Sequence, residues 1–114
     1  MNRHAALVLA LVCTAPAAAD ETAWKPLTGP EIRAALEGRV LAYDAATQDF
    51  RASGKTLYTA NGRDSWGNWR IEGARYCSPW PPSDLWACYG IERDGDRLRF
   101  VGEGDDIVAG SYAD

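Results

Sequence analysis

Cys77 and Cys88 bracket the segment Ser78-Pro79-Trp80-Pro81-Pro82-Ser83-Asp84-Leu85-Trp86-Ala87, a short stretch dense in proline and tryptophan. Two thiols at this spacing in a small exported domain predict a disulfide, and closing a loop of this size stabilises a fold by roughly 3 kcal/mol in the chain-entropy picture. Inside the loop, prolines remove backbone donors and stiffen the chain, so Trp80, between Pro79 and Pro81, is held out of a regular strand. A stiff indole loses little entropy when a partner covers it, which is the property of an interface anchor. Trp80, Trp86, Pro81 and Pro82 are therefore the residues expected to contact a partner. Its chemistry is left open between an envelope protein, a glycan and a small apolar ligand at a barrel mouth. Trp80 itself has two dispositions open to it: an exposed anchor, or a lid folded back over an open barrel end.

Other chemistry is excluded by what a processed chain would lack. The single histidine, His4, and the single methionine, Met1, both fall in an N-terminal stretch that reads as an export signal. Zinc, copper and haem iron favour imidazole, thiolate or thioether ligands, so no metal and no cofactor are expected. A Ser-His-Asp or Cys-His nucleophile is excluded on the same ground. Tyr43, Tyr58, Tyr76, Tyr89 and Tyr112 read as barrel residues with their hydroxyls at a rim. The acidic clusters Asp94/Asp96 and Glu103/Asp105/Asp106 fall on predicted turns and lack the spacing of a calcium loop. Asp64, Arg70 and Glu72 alternate along one strand as a solvent-facing stripe rather than converging as a catalytic pocket. A protein that is not an enzyme is expected.

The leader follows the usual grammar of a secretory signal: Arg3 near the start, an apolar run from Ala5 to Val12, and Ala17-Ala18-Ala19 before the expected cleavage. Its apolar run is too short to span a bilayer, so a periplasmic or secreted chain with no membrane span is expected. Residues 20–114 then make a single domain. Sixteen acidic residues stand against twelve basic ones, a net charge of −4 that disfavours a phosphate backbone as partner. Nucleic acid binding is therefore not expected.

The elements that must position the cysteine loop are short. Thr28 as N-cap, Pro30 in the first turn and Glu31 three residues after the cap predict a helix ending near Gly38, with Ile32, Ala35 and Leu36 on its apolar face. Beyond it, β-forming runs are predicted at residues 40–44, 49–53, 55–59, 65–72, 74–78, 86–93, 97–101 and 107–112. Asn61-Gly62, Glu72-Gly73, Asp94-Gly95 and Glu103-Gly104 punctuate them. Gly67, Trp69 and Ile71 share one face of their strand; Trp66, Asn68, Arg70 and Glu72 share the other. Such alternation with hairpin spacing predicts a mainly β fold: a short N-terminal helix packed on an antiparallel up-and-down meander or small barrel.

The pattern Trp24-x-x-Leu27-Thr28-Gly29-x-Glu31-Ile32-x-x-x-Leu36-x-Gly38, followed by Gly67-x-Trp69-x-Ile71, Tyr76-Cys77 and Trp86-x-Cys88-Tyr89, resembles a group of small exported alphaproteobacterial proteins that form a domain of unknown function. The resemblance spans nearly all of residues 20–114. It implies a periplasmic β domain with an N-terminal helix, and it carries no activity or catalytic residues over to this chain. Separately, the tip Ser53-Gly54-Lys55-Thr56-Leu57-Tyr58 resembles the hairpins that periplasmic lysozyme inhibitors insert into an acidic enzyme cleft, which makes Lys55 a second candidate contact.

Overall fold

The structure, a computed structural model, describes residues 23–114; the predicted leader, residues 1–19, lies outside the described residues. After the short strand β1 (Lys25–Pro26) comes helix α1 (Gly29–Leu36), started by the capping box that the sequence predicts. The Thr28 amide donates to Glu31 Oε1 at 2.9 Å and the Glu31 amide donates to Thr28 Oγ1 at 3.4 Å. Hydrogen bonds from the Thr28 amide and, second, from its side chain hold the Glu31 carboxyl below its ordinary pKa. Ile32, Ala35 and Leu36 turn the helix's apolar face into the core.

Nine further strands follow: β2 (Arg39–Ala42), β3 (Ala46–Phe50), β4 (Lys55–Ala60), β5 (Arg63–Asn68), β6 (Arg70–Glu72), β7 (Arg75–Ser78), β8 (Ala87–Asp94), β9 (Arg97–Val101) and β10 (Ile107–Tyr112). Each pairs antiparallel with its neighbours, in the order β5-β4-β3-β2-β10-β9-β8-β7-β6, with β1 added to the far end of β8. The two ends of that order, β5 and β6, are consecutive in the chain and separated only by Trp69. One chain segment thus pairs with β4 through its first half and with β7 through its second, which bends the sheet into an up-and-down barrel.

Two differences from the sequence reading have local causes. The strand predicted at 49–53 lies earlier, at Ala46–Phe50, because Arg51 to Gly54 form a turn: the Gly54 amide donates to Arg51 O at 3.0 Å and Gly54 sits at φ +93°. The strand predicted at 65–72 breaks at Trp69, whose amide donates to Gly54 O at 2.8 Å instead of to a ladder partner. The predicted faces survive the break, with Gly67 and Trp69 buried and Trp66, Arg70 and Glu72 exposed.

One end of the barrel is filled. Ile32 and Leu36 of α1 meet Leu41, Phe50, Trp69, Ile91 and Leu98 in a continuous core, and the Trp69 indole N–H donates to Arg51 O at 2.9 Å. Ring closure between β10 and β2 uses only two register pairs, Ser111 with Ala42 and Tyr112 with Leu41. A clasp reinforces it. Arg39 Nε and Nη2 each donate at 3.0 Å to the Asp114 carboxylate, which also accepts from the Val40 amide at 3.1 Å.

Candidate ligand cavity at the barrel mouth

The opposite end is open. Turns at 43–45 and 61–62 and the loops at 79–86 and 102–106 surround it, because every second connection of an up-and-down barrel falls at the same end. Beneath them lies a cavity of about 730 Å³ walled by residues of seven strands and of the connections between them. Tyr58 and Ser65 come from β4 and β5, Tyr76 and Ser78 from β7, Tyr89 from β8, and Phe100 from β9; Tyr43 follows β2 directly.

The aromatic rings form a connected cage. Tyr43 lies 6.1 Å from Tyr58 and 6.2 Å from Phe100, Tyr58 meets Trp80 edge-on at 6.1 Å, and Tyr76 and Tyr89 meet Phe100 edge-on at 5.2 and 6.4 Å. Below the cage, buried Gln48 organises a polar floor. Its Oε1 accepts from the Tyr43 hydroxyl at 2.7 Å, and its Nε2 donates to Thr56 Oγ1 at 2.9 Å and to the Tyr76 hydroxyl at 3.3 Å. Thr56 in turn donates to Asp49 O at 2.9 Å, so the network is complete. Burial pushes the Tyr43 and Tyr76 phenols above their ordinary pKa, as it does Tyr89, where a hydrogen bond to the Asp106 carboxylate adds to the effect. These three therefore stay neutral at physiological pH.

Trp80 takes the lid disposition. Its indole enters the seam between β5 and the end of β7, where the strands are joined by a single long bond from the Asn68 amide to Pro79 O at 3.4 Å. There it rests on Gly67: a Cβ at that position would sit 2.7 Å from Trp80 Cε3 and 2.9 Å from Pro79 O. The indole N–H donates to Ser78 Oγ at 3.2 Å. Trp80 is accordingly half-buried in the cavity wall rather than a free anchor.

The other residues singled out by sequence scatter. Cys77 and Cys88 face each other across β7 and β8, with Cα atoms 4.0 Å apart, and form the predicted disulfide. Trp86 lies on the outer wall, 38% exposed, beneath the Arg70 guanidinium at 3.7 Å; it is the neighbour of a shallow dent of about 320 Å³ and takes no part in the cavity. Pro81 lines the cavity, whereas Pro82, joined to it by a cis peptide, is exposed outside it. Lys55 is exposed at the head of β4, at the end of the barrel that α1 fills. Trp80 and Lys55 thus cannot belong to one contact surface. Arg70 and Glu72 pair with each other at 2.6 Å, apart from Asp64 at the mouth. The cluster of metal-ligating residue types found among the described residues, Glu72 with Cys77 and Cys88, has both sulfurs committed to the disulfide.

Sequence reasoning assigned the tyrosine hydroxyls to a rim, and the structure corrects this: Tyr43 and Tyr76 reach the cavity floor, and the Tyr112 hydroxyl donates to Ala35 O at 2.6 Å at the filled end. Gln48 was missed altogether. A polar residue between Thr47 and Asp49 gives no sign of burial in the sequence. Compared with protein-family models, with curated proteins and with solved structures, the chain matches none, and the site is read from its own geometry.

Proposed function

We propose that this protein is a non-enzymatic binder of a small organic molecule, held in the mouth cavity of an exported, disulfide-bonded barrel. The observation that carries the reading is a cavity of about 730 Å³ in a barrel whose other end is packed solid. That volume lies in the range of small-molecule sites, and an aromatic wall with a few fixed polar groups is their usual lining. The disulfide accords with an oxidising compartment, and among the described residues no helix is long and apolar enough to cross a membrane. Within this reading the loop at 79–86 contributes one wall of the cavity through Trp80 and Pro81. The other partners considered from sequence, an envelope protein or a glycan gripping an exposed Trp80, lose their main support because the indole is seated in the wall.

A library of small aromatic and aliphatic compounds, screened by tryptophan fluorescence and thermal shift, tests the reading. Hits are expected to raise the melting temperature of the native protein and to lose that effect in Ser65→Trp, which fills the cavity from β5. Hits that bind Ser65→Trp equally well, or a library without hits, would overturn it. The lysozyme-inhibitor reading rests separately on the exposed Ser53–Lys55 turn; stoichiometric inhibition lost in Lys55→Ala is the result that would support it.

A further inference from the structure

The cavity lining has a chemical bias beyond being aromatic. Among the described residues its one charged residue is Asp64, whose carboxylate accepts from Thr59 Oγ1 at 2.9 Å, and no described lysine or arginine lines it. The turns and loops around the mouth add Asp44, Asp84, Glu103, Asp105 and Asp106, and the one basic residue next to them is Arg63, which opens β5 beside Asp64. Among the described residues seven arginines do stack on aromatic rings, at Trp24, Trp66, Trp69, Trp86 and Tyr112. None of those stacks involves the mouth rings Tyr43, Tyr58, Trp80 or Tyr89. Of the rings lining the cavity, Trp66 carries Arg51 at 4.8 Å, whereas Tyr43, Tyr58, Tyr76, Trp80, Tyr89 and Phe100 have no such cation among the described residues.

Resting on the small-ligand reading above, we infer that the cavity's ligand is an organic cation, an ammonium group carried on an apolar or aromatic body. The negative faces of tyrosine, tryptophan and phenylalanine attract a cation, and a cage of several rings is how proteins hold alkylated ammonium groups. The cage here comprises Tyr43, Tyr58, Trp80, Tyr89 and Phe100. Neutral phenols supply oxygen lone pairs without competing positive charge, and the carboxylates at the lip give a negative potential that draws cations in and repels anions. Gln48 and the Tyr43 and Tyr76 hydroxyls then meet a polar group at the far end of the ligand.

Three matched probes separate the charge from the shape: phenethyltrimethylammonium, its uncharged carbon isostere (3,3-dimethylbutyl)benzene, and the anion 3-phenylpropanoate. Titrated into the intact oxidised protein and followed by tryptophan fluorescence and calorimetry, the cation is expected to bind roughly ten- to thirty-fold more tightly than the isostere. The anion is expected to be weakest. Tyr58→Leu should remove most of that preference, and the surface change Asp64→Asn should weaken the cation several-fold while leaving the isostere unchanged. An isostere or anion that binds as well as the cation, or a cation preference untouched by both variants, overturns the inference and leaves the small-ligand reading standing. If none of the three binds at millimolar concentration and the broad library also fails, both fall together.

Discussion

Gly67 shows how a single atom sets the shape of the site. Its missing side chain provides the niche in which the Trp80 indole lies, with Tyr58 edge-on at 6.1 Å and Ser78 accepting the indole N–H. Gly67→Ala forces a Cβ to within 2.7 Å of the ring and 2.9 Å of Pro79 O, so the indole and the backbone that carries it must shift out of the seam. We expect a red-shifted tryptophan emission and a loss of about 1–3 kcal/mol, the usual cost of overpacking. An unshifted spectrum would mean that Trp80 does not occupy this niche in solution. Gln48 acts at the same scale but by polarity, since three partners engage its amide and tie β3 to β4, to β7 and to Tyr43 after β2.

At the level of elements, β10 and β2 share a ladder of only two pairs, and the Arg39–Asp114 clasp compensates for its shortness. The Arg39 hydrogen bonds hold the Asp114 carboxyl below its ordinary value of 3.8. A carboxyl that is more acidic when folded adds stability that is complete above its unfolded pKa and disappears as the pH falls through its folded pKa. Asp114→Asn should therefore be less stable than the natural chain at pH 7. The gap should narrow as the pH drops below 3.8, which paired urea melts at neutral and acidic pH will measure. A gap that persists unchanged at low pH would rule out the charge on Asp114 as its source. The disulfide works on a different wall, pinning β7 to β8 at the base of the loop that carries Trp80, so that loop starts and ends at fixed points.

Across the whole molecule, the packed core and the open cavity sit at opposite ends of one barrel. The filled end holds α1 and the aliphatic core, with Ile32 and Leu36 fully buried; the mouth holds the tyrosines, the satisfied amide and most of the turn acids. Ile32→Ala is expected to remove about 2–5 kcal/mol, as deletions of large buried aliphatic groups do. Ligand affinity at a temperature where the variant is folded should change little. Tyr58→Leu should show the reverse pattern, a small change in melting temperature with a large loss of binding. Equal effects of both substitutions on binding would show that the two ends are coupled.

Signals that act over a few residues were legible in the sequence. Thr28 and Glu31 announce the helix start, glycines at positive φ such as Gly62 and Gly95 mark hairpins, and alternation along 97–101 and 67–71 gives the faces. Cysteine counting gave the disulfide. Each depends on hydrogen bonds and side-chain directions within one strand, one turn or one pair of neighbouring strands. Tertiary structure alone decided that Trp80 lies inside the mouth and Trp86 outside it, that Lys55 belongs to the far end, and that Gln48 is buried and bonded to Tyr43 and Tyr76. These outcomes follow from ring closure: β5 and β6 bridge the two edges of the sheet, and only then do side chains from β3, β4, β7, β8 and β9 converge on one cavity, at distances no spacing along the chain encodes.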